Sequence, residues 1–380
     1  MTIIETTVYA VLESVKSISN ILNNKTIDFD LFFMQTKINN IKFYKTELKK
    51  DRTVYIFKVN YLFELKDLQD KSIFLSKFLN IDSSQIIIEQ IDYCVYITTT
   101  KDYKNSKYST SIHKSKEFNL LLGYNMKNKE VRFDINKPSN AHIGIFASTR
   151  GGKSNLMYLM LCQLIQFPRC DIELDIINPK IVDFFEYEKV KNVVNYTENE
   201  DDALDILEEN IKIMNDRYNK FKRNNVKSLE QYRKINKMPY RIVVIDELAT
   251  FQGNKDFHNA LTILANKSAG AGIILMLSSQ LLNKDIMTNQ VRQNLNSIFG
   301  GRCKDKTKSN MIYEDSNLHI DIKKVGQFKI YDSFNYGELT QVLEVKNETI
   351  TELCNKYKKV ARATNSNNSS KTKSISDKLI

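Results

Sequence analysis

Three short clusters carry residue types suited to handling a nucleoside triphosphate. The first is Ala147-Ser148-Thr149-Arg150-Gly151-Gly152-Lys153-Ser154, followed directly by Asn155. Apart from Ala147 in place of the first glycine, it fits the Walker A pattern, and the whole stretch is the candidate nucleotide-binding segment. Gly151 and Gly152 let backbone N–H groups curl around phosphate oxygens with no Cβ in the way. Lys153 would reach the β- and γ-phosphates, and the Ser154 hydroxyl would ligate Mg²⁺. The second cluster, Arg241-Ile242-Val243-Val244-Ile245-Asp246-Glu247, is an apolar run ending in two acids. Asp246 would hold the Mg²⁺ water shell, and Glu247 would polarise an attacking water. The third, Ser278-Ser279-Gln280, ends another apolar run, and Gln280 would sense the γ-phosphate. Each cluster has an ordinary structural explanation by itself: a glycine turn, a helix-capping acid pair, a polar strand end. Together they specify ATP and Mg²⁺.

The elements needed to position these clusters are legible around them. A strand over His142–Phe146 precedes the glycine loop, and a helix over Asn155–Gln166 follows it. Further apolar strands are expected at Ile172–Ile177, Arg241–Ile245 and Ile273–Leu277. Continuous apolar strands alternating with helices mean an α/β fold, a mostly parallel sheet with helices on both faces. Upstream, Ile4, Val8, Val11, Leu12, Val15 and Ile18 give an amphipathic helix over Ile3–Leu22. Val54–Leu65 reads as a strand, Leu68–Leu79 as a helix, and Ile86–Ile91 and Tyr93–Thr98 as two strands, a small α/β module. Lys101–Lys116 is polar and reads as a linker or exposed loop. Ala361–Ile380, rich in Ser, Asn and Lys, reads as disordered. The expected division is a small N-terminal unit over 1–116, the nucleotide-binding core over 117–357, and a tail over 358–380.

Among 380 residues, 56 are Lys or Arg and 45 are Asp or Glu, a formal net charge of +11. That favours a polyanionic partner, although lysine-rich composition alone produces the same balance. The five cysteines and four histidines are dispersed, with no C-x-x-C pair. A zinc site or disulfide framework is not expected, and reduced thiols in the cytoplasm are. No apolar run is long enough to span a membrane, and the N-terminus lacks the basic start of a signal peptide.

From Leu121 to Val345 the sequence resembles the motor domain of the FtsK/SpoIIIE DNA translocases. Ile177-Asn178-Pro179-Lys180 resembles the family's D-P-K segment, with Asn for Asp. Met214-Asn215-Asp216-Arg217-Tyr218 resembles its M-E-x-R-Y helix, and Val226 through Tyr232 the stretch that follows. Met238-Pro239-Tyr240 leads into the acidic pair as the family's L-P-Y does. Ala271-Gly272-Ile273 leads into the Gln280 strand, and Asp285, Thr288 and Asn294 keep the family spacing. Val325-Gly326-Gln327-Phe328 resembles the late turn and strand. Less specifically, Val54–Thr100 resembles the family's small α domain.

The resemblance implies a RecA-like P-loop ATPase core that assembles as a homohexamer and pumps double-stranded DNA. It assigns no arginine finger, because the family's positions hold Ala269, Leu281-Leu282 and Ile298 here. Arg302 and Arg292 are the nearest substitutes. These departures point to a mobile-element or conjugative-transfer relative, with a relaxase or membrane transfer-channel proteins as partners. Two other readings stay open: a transfer or packaging ATPase acting on single strands or a DNA–protein complex, and a recruitment ATPase that does not translocate. DNA contacts are expected in the loops Gln252–Asp256 and Leu282–Gln290, through Lys255 and Lys284, and at Arg292. The basic group Lys220, Lys222, Arg223, Lys227, Arg233 and Lys234 reads as a solvated face.

Overall fold

A computed structural model describes residues 27–49, 52–81, 85–100, 106–110, 118–181, 183–280, 282–283, 285–314, 317–333 and 335–359. The expected helix over Ile3–Leu22, the tail beyond 359, most of the 101–116 segment and Lys284 lie outside the described residues. In the N-terminal unit the elements are α1 (Phe29–Thr36), β1 (Ile41–Leu48), β2 (Arg52–Val59), α2 (Leu65–Asp70), α3 (Ser72–Leu79), β3 (Ile86–Ile91) and β4 (Cys94–Thr100). Then come β5 (Asn119–Asn125), β6 (Glu130–Asp134), β7 (Ile143–Phe146), α4 (Lys153–Leu164), β8 (Ile172–Ile177), β9 (Val193–Thr197), α5 (Glu200–Arg223), α6 (Leu229–Tyr232) and β10 (Tyr240–Ile245). The last are α7 (Lys255–Lys267), β11 (Ile273–Ser279), α8 (Asn289–Gln293), β12 (Ser297–Gly300), α9 (Lys306–Ile312), α10 (Leu318–Asp321), β13 (Gln327–Tyr331), β14 (Tyr336–Val342) and α11 (Asn347–Lys356).

The apolar runs form the centre of a ten-stranded sheet in the order β6-β5-β14-β13-β12-β7-β11-β10-β8-β9. From β12 to β9 every pairing is parallel. From β12 to β6 every pairing is antiparallel, a half of which the sequence reading had only the turn and strand at Val325–Phe328. Along β10, Ile242 and Val244 enter one apolar cluster while Val243 and Ile245 enter the other. Both faces are therefore buried, which is why Ile242–Ile245 is apolar at every position and not at alternate ones. α4 covers one face with Leu156 and Met160. α5 and α7 cover the other with Leu207 and Leu261.

The long helix α5 shows how sequence sets an element. Asn199 caps it by accepting the Asp201 N–H, and Glu200, Asp201 and Asp202 oppose the positive end of its dipole. Ala203, Leu207, Asn210, Met214, Arg217 and Phe221 make one buried stripe. Two polar members of that stripe are tied to the sheet. Asn210 donates to Asp175 Oδ2 at 2.7 Å, and Arg217 donates to the Ala271 carbonyl at 2.8 Å, at the entry to β11. Asp175 also receives both arms of Arg241 at 2.7 and 2.9 Å, so this buried acid is fully paired.

The small N-terminal sheet is antiparallel throughout, in the order β1-β2-β4-β3, with α1 packed on it through Phe29 and Phe33. Three expectations need correcting here. The strand read as reaching Leu65 stops at Val59, because Asn60 forms a turn in which its side chain accepts the Leu62 N–H. The helix read over Leu68–Leu79 is two helices that meet at Lys71. Part of the supposed linker is core: Tyr108 is buried, its N–H donates to the Glu344 carbonyl, and its hydroxyl accepts from Gln166.

Candidate active site

β7 and β10 flank β11 in parallel register, so Phe146, Ile245 and Ser279 end on one edge of the sheet. Open α/β sheets bind ligands at that edge. The glycine loop turns from β7 into α4, with the Gly151 N–H donating to the Ser148 carbonyl at 2.9 Å. Gly152 takes φ +97°, and a Cβ there would lie 2.9 Å from the Gly326 backbone. Both the angle and the close approach require glycine. The Ser148 N–H is held by the Arg302 carbonyl at 2.8 Å. Asn155 faces away from this chemistry: its amide donates to the Leu343 carbonyl at 2.9 Å and accepts the Val345 N–H at 2.8 Å. It fastens α4 to the chain after β14.

Lys153 joins the loop to the acids. Its ammonium lies 3.2 Å from Asp246 Oδ1, 3.5 Å from Glu247 Oε2 and 2.9 Å from Ser278 Oγ. Ser278 in turn donates to Asp246 Oδ1 at 2.7 Å. Lys153, Asp246 and Glu247 are all buried. A buried charge cluster of this kind adds little net stability, because desolvation offsets most of the attraction, and strand-end clusters of ionisable groups mark functional sites.

Glu247 is held from every side. Its Oε1 accepts from Ser279 Oγ at 2.9 Å and from the Gln280 N–H at 3.0 Å, and its Oε2 meets Lys180 Nζ at 2.6 Å. Burial pushes its carboxyl up, but Lys153, Lys180 and the Gln280 amide together outweigh that and hold it below the usual range. Its backbone adopts φ +68°, in the left-handed region.

Ser154 donates to Asp183 Oδ2 at 3.1 Å, and Tyr158 donates to the other oxygen of that acid at 3.3 Å. Gln280 Oε1 accepts from Thr149 Oγ1 at 2.7 Å, so the expected γ-phosphate sensor already touches the loop. Ser148, Thr149, Gln280, Lys304 and Lys308 are among the residues lining a cleft of about 140 Å³ beside it. Sequence reasoning passed over Asp183, although it lies only three residues beyond Lys180 in the Asn178-Pro179-Lys180 segment. Ser278 and Lys180 were noticed only as parts of their motifs, without the contacts seen here.

The other expected residues are more scattered. Arg302 is exposed, with its backbone beside the glycine loop of its own chain. Arg292 donates to the Asn310 carbonyl at 3.2 Å, which commits part of its guanidinium to packing α8 on α9. Lys255 is exposed at the start of α7. Of the basic group, Arg233 is paired with Asp171 at 2.6 Å, while Lys220, Lys222, Arg223, Lys227 and Lys234 are exposed.

The sequence model of the FtsK/SpoIIIE family matches residues 104–295. The DNA translocase FtsK of Leptospira interrogans is 24% identical over 268 residues, covering 66% of this chain and 28% of that protein. The chain thus spans little more than a quarter of that relative's length. Among solved structures, the pCW3 conjugation coupling protein TcpA, in its monomer form with ATPγS, has a TM-score of 0.62 at 19% identity, covering 86% of this chain and 98% of that one. ATPases 2 and 3 of EssC from Geobacillus thermodenitrificans give 0.58 at 15% identity, covering 67% of this chain and 51% of that one. These two likenesses establish a shared P-loop ATPase fold. Among the described residues, no helix is long and apolar enough to cross a membrane.

Proposed function

The chain belongs to the FtsK/SpoIIIE family, and from that membership we propose an ATP-driven motor that pumps double-stranded DNA through a ring of identical copies. The observation that carries the reading is Lys153, which spans from the glycine loop to both strand-end acids. In this reading Gly151, Gly152 and the N-terminus of α4 present backbone N–H groups to the phosphates. Lys153 moves its charge from the acids to the β- and γ-phosphates. Glu247, kept ionised by its cations, orients the attacking water, and Gln280 reports the γ-phosphate through its contact with Thr149. Arg302 offers a cation beside the same loop.

The residues suit Mg²⁺. Asp246 Oδ2 is buried without a hydrogen-bond partner, and Ser154 Oγ stands one residue beyond Lys153 at the start of α4. When bound there, Mg²⁺ supplies positive charge to the β- and γ-phosphate oxygens.

Transfer of plasmid or mobile-element DNA is the proposed setting. Its support is the loss of arginine at Ala269 and Ile298 together with the likeness to a conjugation coupling protein. A relaxase or a membrane channel protein would then be the partner, recruiting the motor to the membrane from the cytoplasm. Lys255, Arg292 and the loop holding Lys284 are the proposed DNA contacts.

The test is the ATPase rate with duplex DNA, with single strands and with neither, alongside particle size in ATP. Stimulation by duplex that falls steeply with salt is expected. Stimulation by single strands alone favours the single-strand reading, and a flat rate across all three favours a recruitment ATPase.

A further inference from the structure

We propose that Lys180 is a positioning residue for Glu247, fixing the carboxylate that orients the attacking water. The inference rests on the ATPase reading above and deepens it. Lys180 follows β8, the strand paired directly with β10, with Ile177 opposite Ile245. The Asp246 N–H donates to the Ile177 carbonyl at 3.0 Å, so the pairing continues to the point where the acids begin. Two residues farther on, Pro179 restricts the backbone and Lys180 reaches across to Glu247 Oε2 at 2.6 Å.

The geometry separates the two lysines on Glu247. Lys153 is the more distant at 3.5 Å, and its place in the glycine loop gives it a second duty on the phosphates. Lys180 is closer, lies outside the loop, and is 32% exposed where Glu247 is 8% exposed. It approaches from the rim while Ser279 and the Gln280 N–H hold the other oxygen from β11. When Lys153 turns to the phosphates, Lys180 remains as the cation opposing the β11 donors. The carboxylate then stays fixed in rotation. This matters more because Glu247 sits in a left-handed backbone conformation that a non-glycine residue keeps only when its surroundings hold it.

The experiment compares Lys180→Met and Lys180→Arg with the wild type in DNA-stimulated ATP hydrolysis. Lys180→Met is expected to lower kcat at least about tenfold with KM for ATP held within about twofold, since the lost contact orients water and not nucleotide. Lys180→Arg should recover most of that loss. In a Glu247→Gln background, Lys180→Met should leave the single-turnover rate unchanged, because Lys180 acts through the acid already removed. An unchanged or raised kcat in Lys180→Met overturns the proposal, as does an equal change in KM or a further loss on top of Glu247→Gln. A thermal-unfolding cycle of the same two substitutions without nucleotide reads the pair independently. Additive effects there also overturn it. A wild-type chain that binds ATP without hydrolysing it defeats the ATPase reading, and a coupled unfolding cycle then leaves Lys180–Glu247 as a structural pair only.

Discussion

Lys153 Nζ and Asp246 Oδ1 lie 3.2 Å apart although 93 positions separate them in the chain. The contact joins the glycine loop before α4 to the acids at the end of β10. Both partners are buried, and Ser278 bonds to each of them. A surface ion pair would carry no such meaning.

Lys153→Ala should therefore lose nucleotide binding, with ATP turnover falling at least about a hundredfold. Breaking a buried pair leaves an uncompensated charge, so stability should fall by roughly 3 kcal/mol while the far-UV circular dichroism keeps its shape. Fluorescent nucleotide titration and thermal unfolding check both. Wild-type turnover in the folded variant contradicts the loop's role.

Glu247→Gln should bind ATP but hydrolyse it about a hundredfold to ten-thousandfold more slowly. The amide keeps an oxygen for the Gln280 N–H and loses the charge that holds Lys180. Single-turnover hydrolysis measures the effect. A rate near wild type moves the water-orienting role to another residue.

The sequence carried the centre of this site further than its surroundings. β8 lies where its apolar run predicts, because a run buried at nearly every position has little to blur its ends. β3 also spans the predicted residues, although it is half-buried at Ile86–Glu89 and exposed at its end. Most of the antiparallel half of the large sheet was hidden, apart from the turn and strand at Val325–Phe328. β14 reads Tyr-Gly-Glu-Leu-Thr-Gln-Val, a polar sequence that becomes a strand because β13 and β5 pair on its two sides. β1 was missed for a related reason: it is exposed along most of its length, so burial imposes no pattern on it. Asp183 shows the same limit within the site. It meets Ser154 only because the chain after β8 folds back onto α4, through Asn178 bonding to the Asp183 carbonyl and to Tyr196.

Arg302→Ala should keep ATP binding and lose hydrolysis, by about a thousandfold if its cation stabilises the transferring phosphoryl group. The Arg302 carbonyl is bonded to the Ser148 N–H of its own chain, which favours action on the nucleotide of the same copy. Mixing Arg302→Ala with Lys153→Ala protein should then restore no activity. Recovery in the mixture would instead mean that Arg302 serves a neighbouring copy. An unchanged rate in Arg302→Ala alone would make Arg292 the next residue to test.

Stability should fall in mild acid through His142. This residue is buried beside the sheet, its Nδ1 accepts the Leu275 N–H at 3.1 Å, and burial pushes its pKa down to about 4 from 6.5. Below pH 6.5 the unfolded chain takes up a proton that the folded chain refuses, so the contribution is complete above that value. It declines by about 1.4 kcal/mol per pH unit down to about pH 4. His142 also sits at φ +60°, which asparagine tolerates, so His142→Asn is the suitable control. Denaturant unfolding from pH 7.5 to 4.5 should show a shallower decline in the variant, and parallel curves contradict the assignment.

Under the proposed function, ATP hydrolysis at the Lys153–Asp246–Glu247 cluster moves the protein along duplex DNA. The most direct measurement is displacement of a triplex-forming oligonucleotide from a long duplex. The wild-type protein should strip the third strand in an ATP-dependent reaction that Glu247→Gln abolishes and that weakens as salt rises. ATP hydrolysis that proceeds normally on the same duplex while the third strand stays bound would contradict it.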